Sequence, residues 1–135
     1  QYGQMGMIVM RRDGFFLSYN PEASRLTGYT LDEMTHIQSW AQKLIMEPET
    51  LGPLLETVDR LWEEKAGTSH VRVRACRKDG SPVILDLTLT VILNDNGQPR
   101  RMLVLLFDPF EKYGRREYQA LIENGMLGLY TYAAD

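Results

Sequence analysis

The feature that most limits how this chain can fold is a strict alternation of side chains over residues 83–93. The apolar residues on one side of the alternation are Val83, Leu85, Leu87, Leu89, Val91 and Leu93. The other side carries Asp86, Thr88 and Thr90, flanked by Ile84 and Ile92. Successive side chains of a β-strand point to opposite faces of a sheet, so the pattern predicts a long strand with one face in a core. The chain must therefore supply neighbouring strands and a layer that covers the apolar face.

Four more segments are suited to be strands of the same sheet. Residues 70–77 alternate in the same way, and residues 101–108 are apolar on both faces, which is typical of a central strand. Residues 6–11 and 15–19 flank an Asp-Gly pair, which favours a tight hairpin turn. Turn-forming sequences separate the last three segments. The sequence therefore predicts five antiparallel strands.

Helices are predicted between the second and third strands. Asn20 before Pro21 is the pattern of an N-cap followed by proline at the first helical position. Thr30 and Glu33 have the spacing of a capping box and predict a second short helix. Residues 50–66 place apolar side chains at helical spacing and predict a longer, amphipathic helix. The fold class is therefore α+β, with short helices on one face of a five-stranded antiparallel sheet.

In these segments the chain resembles the PAS sensory domains, in which two strands, several short helices and three strands follow in that order. The resemblance covers most of the chain and is carried by residues 20–34, which include Asn-Pro-Glu-Ala, Gly-Tyr and Leu-Asp-Glu-Met, by Arg-Lys-Asp-Gly-Ser at 77–81 and by Phe-Asp-Pro at 107–109. Many relatives end the last strand in Asp-Ile-Thr, whereas this chain has Asp108, Pro109 and Phe110. The resemblance implies a PAS-like domain over residues 1–109.

The end of the chain predicts a connection to further domains. Residues 110–124 are expected to form a connecting helix. Residues 125–135 repeat the hydrophobic pattern at the start of the chain, which predicts the first strand of a second PAS-like repeat; a chance similarity of two short runs is the alternative. Because the chain begins at Gln1 without a methionine, we expect it to be a piece of a longer, bacterial-type signalling protein.

Composition and motifs exclude several classes of function. The 135 residues carry a formal charge of −3, which argues against nucleic-acid binding, and no apolar run is long enough to cross a membrane. A single cysteine, Cys76, excludes an internal disulfide and fits a reducing compartment, so the expected location is cytoplasmic. Because no nucleophile elbow or phosphate-binding glycine loop is present, we expect a regulatory domain and no catalytic residues.

A ligand pocket is predicted between the sheet and the helices. Its candidate lining residues are Tyr29, Trp40, Leu44, Leu55, Val58, Val73, Leu85, Leu87 and Leu106. A filled core produces the same pattern, so both interpretations stay open. The lining carries almost no charge and would suit a small apolar or aromatic ligand, which the indole N–H of Trp40 could orient.

The cofactor is left unknown by the sequence. Relatives with flavin photochemistry resemble one another in a helical cysteine, and because residues 20–66 contain none, covalent flavin chemistry is excluded. Leu85 and Leu106 fall where flavin-binding relatives commonly offer amide side chains, which disfavours non-covalent flavin. Haem-binding relatives use a histidine of the longer helix, whereas the histidines here are His36 and His70, isolated from other metal ligands. Haem is therefore disfavoured and no metal site is expected.

The opposite face of the sheet predicts an interaction surface. Ile84, Ile92, Leu103, Leu105 and Phe107 share it with one side of the first strand, and a monomer does not usually leave such a surface exposed. The resemblance implies a homodimer through this face. It also implies that a signal leaves at Asp108 toward an output domain in the same chain. Histidine kinases of two-component systems, cyclic-dinucleotide enzymes such as diguanylate cyclases, and transcriptional regulators are the usual output domains.

Two functions follow from these patterns and stay open. The first is a sensory or interaction module that binds a small ligand or a partner and transmits its state through the C-terminal helix. The second is a ligand-free structural spacer that holds two signalling chains together as a dimer.

Overall fold

The computed structural model of the protein describes residues 5–65 and 67–113. Along the chain the elements are β1 (Gly6–Arg11), β2 (Phe16–Tyr19), α1 (Pro21–Thr27), α2 (Ile37–Leu44), α3 (Pro48–Glu64), β3 (Thr68–Cys76), β4 (Pro82–Leu93), β5 (Pro99–Phe107) and α4 (Pro109–Tyr113). The strands form one sheet of order β2-β1-β5-β4-β3, in which every pairing is antiparallel. The predicted α+β class with a five-stranded antiparallel sheet is confirmed.

The central position of β5 follows from its two apolar faces. Met102, Val104 and Leu106 are fully buried on the inner face, which the helices cover. Leu103, Leu105 and Phe107 alternate with them on the outer face and are half-buried. β5 hydrogen-bonds to β1 on one side and to β4 on the other, so no backbone edge of this apolar strand faces solvent.

One hydrophobic core fills the space between the inner face of the sheet and the helices. Helix α2 contributes Trp40 and Leu44 to it, and α3 contributes Leu54, Val58 and Leu61. From the sheet, the inner-face residues of β4 from Val83 to Val91 continue the same cluster, as the alternation predicts. Leu93 was predicted on this face but is 43% exposed, because the register with β5 shifts between Ile92 and Leu93. The core therefore occupies the position at which the sequence predicts either a packed interior or a ligand pocket.

The short helix predicted after Thr30 does not form. Thr30 and Glu33 make the predicted contact, with the Thr30 N–H donating to Glu33 Oε1 at 3.0 Å, but residues 31–33 form a turn and no helix. The next helix, α2, begins at Ile37, and its N-cap is His36. A capping box satisfies the amides of one turn, but the chain then pairs with the start of β2, where the Phe16 N–H donates to the Thr35 carbonyl oxygen at 2.8 Å.

Helix α1 is capped at its start and is attached to a distant turn at its end. Asn20 caps its start by accepting from the Ala23 N–H at 2.9 Å, as predicted. At its end Gly28 adopts a left-handed conformation with φ of 81°, and the Lys78 N–H donates to the Thr27 carbonyl oxygen at 3.1 Å. The carboxyl end of α1 is therefore attached to the turn between β3 and β4.

The C-terminal helix begins one residue earlier than predicted. Pro109 occupies the first turn of α4, where the missing N–H of proline is tolerated because first-turn amides have no partner within the helix. The structure describes this helix as far as residue 113. The rest of the predicted connecting helix over 110–124, and the predicted second repeat over 125–135, lie outside the described residues and stay predictions.

Candidate functional site

The structure brings the predicted pocket residues together in the core. Seven of them have at most a few per cent of their surface exposed: Trp40, Leu44, Val58, Val73, Leu85, Leu87 and Leu106. Tyr29 and Leu55 are half-buried and pack against the same cluster. In the sheet Val73 is paired with Leu85, and Leu87 with Leu106. We call this set the inner-face site.

The indole N–H of Trp40 already has a protein partner. It donates to the Tyr19 hydroxyl at 3.0 Å, and the Tyr19 oxygen lies 2.6 Å from Thr27 Oγ1. The Thr27 hydroxyl in turn donates to the Ala23 carbonyl oxygen at 2.8 Å. An indole nitrogen only donates and a carbonyl only accepts. Each hydrogen bond of the series therefore has a fixed direction: Trp40 donates to Tyr19, Tyr19 donates to Thr27, and Thr27 donates to the backbone of α1.

This polar chain was not predicted from the sequence, which gave no reason to pair Tyr19 or Thr27 with Trp40. Burial raises the pKa of the Tyr19 phenol, which keeps it protonated and able to donate. Within the described part of the chain, the polar side chains classed as buried are Thr27 and Ser69, and every buried side-chain nitrogen or oxygen has a hydrogen-bond partner. The inner-face site is therefore uncharged and is suited to a neutral, mainly apolar molecule.

The imidazole of each histidine is hydrogen-bonded to groups that do not belong to the inner-face site. His36 is half-buried, its Nδ1 accepts from the Gln38 N–H at 3.1 Å, and its Nε2 donates to the Asp13 carbonyl oxygen at 2.8 Å. His70 is exposed on β3 and contacts Thr88. Over residues 5–65 and 67–113 no group of three His, Cys, Asp or Glu residues is placed to hold a metal ion.

The outer face of the sheet carries a continuous apolar strip along β1 and β5. Strand register places Met7 beside Leu105 and Val9 beside Leu103. Phe107 continues the row on β5 and is paired with Asp86 of β4. We call Met7, Val9, Leu103, Leu105 and Phe107 the outer strip. Met7 is 42% exposed and the other four are partly exposed, so the strip is not part of the hydrophobic core.

The predicted interaction residues of β4 lie beside this strip and are separated from each other. Ile84 is paired with Arg74 at one end of the strand, and Ile92 is paired with Arg101 at the other end. Asp86, Thr88 and Thr90 occupy the outer-face positions between them. On the outer face, the side of the sheet nearest β3 is therefore polar. The apolar surface is narrower than the sequence predicts.

The predicted exit residue, Asp108, caps the start of α4. Its Oδ1 accepts from the Phe110 N–H at 2.8 Å. The next acidic residue, Glu111, lies in the fork of Arg25, with hydrogen bonds of 3.0 and 2.6 Å to the two terminal nitrogens. Arg25 also binds Glu22 on its own helix. Arg25 therefore joins α1 to the first turn of α4, across 86 residues of sequence.

The pKa values of the Asp108 and Glu111 carboxyls are shifted in opposite directions. Burial, with a smaller contribution from the nearby Glu111, raises the pKa of Asp108. The hydrogen bonds from Arg25 lower the pKa of Glu111. A carboxyl whose folded-state pKa is raised binds more protons in the folded state. Its contribution to stability therefore falls as pH rises from the unfolded-state pKa through the folded-state pKa. A carboxyl whose pKa is lowered contributes stability above its unfolded value, and this contribution is lost as pH falls.

We expect the variants Asp108→Asn and Glu111→Gln to show opposite pH trends in urea unfolding. Asparagine caps a helix about as well as aspartate, so Asp108→Asn removes mainly the buried charge and should gain stability relative to wild type as pH rises above about 3.9. Glu111→Gln removes the partner of Arg25 and should lose stability relative to wild type as pH rises toward about 4.3. Parallel profiles for wild type and both variants would contradict the assigned shifts.

Comparisons with known proteins agree with this architecture. The PAS fold family matches residues 16–106 of the chain. The N-terminal domain of a diguanylate cyclase with a PAS/PAC sensor from Marinobacter aquaeolei is 18% identical, with a TM-score of 0.66 that covers 78% of this chain and 95% of that one. A sensory box histidine kinase/response regulator from Burkholderia thailandensis is 19% identical, with a TM-score of 0.60 over 90% and 88% of the two chains.

A third similar structure is a light-oxygen-voltage domain reported with a flavin analogue, 22% identical, with a TM-score of 0.66 over 91% of this chain and 87% of that chain. At these identities the solved structures establish the fold alone. No curated protein matches the chain significantly. None of the helices within the described residues is long and apolar enough to span a membrane.

Proposed function

The chain belongs to the PAS fold family, and from that membership we propose that it is the sensory module of a larger signalling protein. In this proposal the inner-face site binds a small ligand or the outer strip binds a partner, and α4 transmits the state to an output domain. PAS is a regulatory sensor fold and not a catalytic one, so the prediction of a regulatory domain is confirmed at that level.

The observation that carries the proposal is the position of β5. Leu106 of this strand is fully buried in the inner-face site, and Leu105 and Phe107 lie on the outer strip. Asp108, which follows immediately, caps α4. Any movement of β5 that a ligand or a partner produces is therefore applied directly to the start of the exit helix.

The type of output domain is proposed from the similar structures. One is a domain of a diguanylate cyclase and another belongs to a histidine kinase/response regulator. We propose an output of this kind in the same chain, in a bacterial-type signalling protein that acts in the cytoplasm.

The ligand proposed for the inner-face site is small, neutral and apolar or aromatic. The similarity to a light-oxygen-voltage domain brings flavin into consideration. The inward-facing strand residues Leu85 and Leu106 have no amide with which to bind the polar edge of a flavin ring, and neither buried polar residue of the described chain is an amide. The residues present therefore do not fit flavin, and flavin is not proposed.

A ligand-free dimerisation spacer is the second candidate, because the nine residues of the inner-face site lie in one packed cluster. Native mass spectrometry of the purified protein separates the two functions. A retained small molecule that is lost on denaturation supports the sensor. A clean multiple of the chain mass after incubation with a library of small aromatic compounds supports the spacer.

The outer strip is proposed as the surface of a homodimer, and Leu105→Glu tests it. Leu105 is at the middle of the strip, between Met7 of β1 and Thr88 of β4. A carboxylate there would be buried without a partner in the dimer, so we expect the dissociation constant to rise at least about tenfold. Sedimentation velocity over a range of protein concentrations measures this change.

The matched control for this test is Met46→Glu. Met46 lies in the loop between α2 and α3, away from the sheet, and is 71% exposed. The Met46→Glu variant adds the same charge at an apolar residue outside the sheet, so its oligomeric state should equal that of wild type. If Leu105→Glu also leaves the oligomer unchanged while its circular dichroism is native, the outer strip is not the dimer surface.

A further inference from the structure

A second possible binding site lies where the exit helix begins. A cleft of about 610 Å³ opens between the end of the β3–β4 hairpin and the first turn of α4. Its walls include Arg74, Arg77, Ile84, Asp108, Phe110 and Glu111. None of the nine residues of the inner-face site lines it. We call it the exit cleft.

Strand register gives Arg74 no acidic partner on the neighbouring strand. The preceding outer-face arginine, Arg72, lies opposite Asp86 and makes two hydrogen bonds to its carboxylate, at 2.5 and 2.9 Å. Two residues further along β3, Arg74 lies opposite Ile84, which offers no acceptor. Arg74 is exposed, and among the residues that the structure describes none accepts a hydrogen bond or forms an ion pair with it.

The second arginine of the exit cleft is held by neutral groups. Arg77 donates to the Leu26 carbonyl oxygen at 3.2 Å, to Ser81 Oγ at 3.2 Å and to the Pro82 carbonyl oxygen at 3.4 Å. None of these hydrogen bonds goes to a carboxylate, so its positive charge is not neutralised by direct contact. The side chain is fixed in place, however, and it presents its charge to the exit cleft from a defined position.

The acidic side chains of the exit cleft already have partners. Glu111 is held in the fork of Arg25, which lies outside the cleft wall. Asp108 accepts from the Phe110 N–H, and burial raises its pKa. Among the charged side chains of the cleft wall, the guanidinium of Arg74 is the one that binds no residue within 5–65 and 67–113, and it lies next to Ile84 and Phe110.

We propose that the exit cleft binds a small organic anion with an aromatic or apolar body. The carboxylate or phosphate of this ligand would pair with Arg74, because a guanidinium binds either group through two parallel hydrogen bonds. The body would lie against Ile84 and Phe110. Small-molecule sites are commonly about 300–1,000 Å³ in volume, and the cleft falls in this range. Phe110 belongs to α4, so the anion would contact the exit helix directly, as an input independent of the inner-face site.

The test is a titration of the isotope-labelled 135-residue protein with benzoate and with phenyl phosphate, followed by amide chemical shifts. We expect saturable shifts at residues 74–75, 83–84 and 110–111 with at least one probe. Benzyl alcohol has the same ring without the charge and should produce none of them. Raising the salt from about 0.05 M to about 0.5 M should weaken binding, because the recognising contact is an exposed ion pair.

Arg74→Gln is expected to weaken binding of the probe about tenfold, with Arg74→Lys intermediate. Arg100→Gln is the matched control, since Arg100 is an exposed arginine at the opposite end of β5 and should leave binding unchanged. The proposal is overturned by an absence of shifts with both anions, by equal shifts with benzyl alcohol, or by an Arg74→Gln variant that binds as wild type does. Shifts confined to the inner-face site also overturn it, while supporting the ligand proposed for that site.

Discussion

Replacing Gly28 by alanine is expected to lower the free energy of unfolding by about 3 kcal/mol. Gly28 has a φ of 81°, in a region that costs a residue with a Cβ about 1–2 kcal/mol. A Cβ built at this position would also lie 2.9 Å from the backbone nitrogen of Lys78. Because that nitrogen donates to the Thr27 carbonyl oxygen, the clash cannot be relieved without moving the β3–β4 turn away from α1. Urea unfolding followed by circular dichroism measures the loss.

Gly97→Ala is the control for this prediction. Gly97 has a similar φ of 77°, but no atom lies within 4 Å of a Cβ built there. Its replacement should therefore lower the free energy of unfolding only by the cost of placing a Cβ at a positive φ, about 1 kcal/mol. The difference between the two variants measures the close approach of Lys78 to α1. Equal losses would mean that this approach is relaxed in solution and that α1 is not fixed to the turn.

The attachment of α1 to the β3–β4 turn bears on the proposed signalling route. Arg77, next to Lys78 in that turn, donates to the last turn of α1 and also lines the exit cleft. On the same helix, Arg25 binds Glu111 of α4. The contacts of Arg77 and Arg25 thus hold the exit helix, the turn and α1 together. A variant that weakens one of these contacts should also change the structure at the other.

Most of the sheet was predictable from the sequence because each strand carries its own periodicity. The alternation over 83–93 defines which residues of β4 face the core, and the doubly apolar run that becomes β5 requires a central position. Both are local patterns, and both predictions hold except at Leu93, which is 43% exposed and lies where the register with β5 shifts. The short helix predicted after Thr30 was wrong because the capping pattern is also local, whereas the chain that follows it pairs with the start of β2, which is distant in the sequence.

The contacts that define the candidate sites could not be predicted, because they join residues far apart in the chain. Which outer-face arginine obtains an acidic partner depends on strand register: Asp86 lies opposite Arg72, and Ile84 lies opposite Arg74. The ion pair between Arg25 and Glu111 depends on where α4 starts relative to α1. A sequence shows that these charges exist but not which of them are left without a partner.

The pairing of Trp40 with Tyr19 leads to the second large effect, expected for Tyr19→Phe. Removing this hydroxyl leaves the Trp40 indole N–H, whose residue is only 1% exposed, without an acceptor. Thr27 Oγ1 loses one of its two donors at the same time and keeps the Tyr29 N–H at 3.2 Å. A buried polar group without a partner costs about 1–3 kcal/mol, so we expect a loss of about 2 kcal/mol in the free energy of unfolding. The control Thr27→Ser keeps the hydroxyl and should cost less than Tyr19→Phe.

A double-mutant cycle with Trp40→Phe separates this polar contribution from packing. Trp40→Phe alone is destabilising because it leaves a cavity, but it also removes the N–H that Tyr19→Phe would leave without a partner. In that background Tyr19→Phe should therefore cost about 1 kcal/mol less than in wild type. Additive losses would mean that the indole finds another acceptor when Tyr19 is absent. An indole that can change its acceptor is available to a polar ligand, whereas one coupled to Tyr19 restricts the inner-face site to apolar ligands.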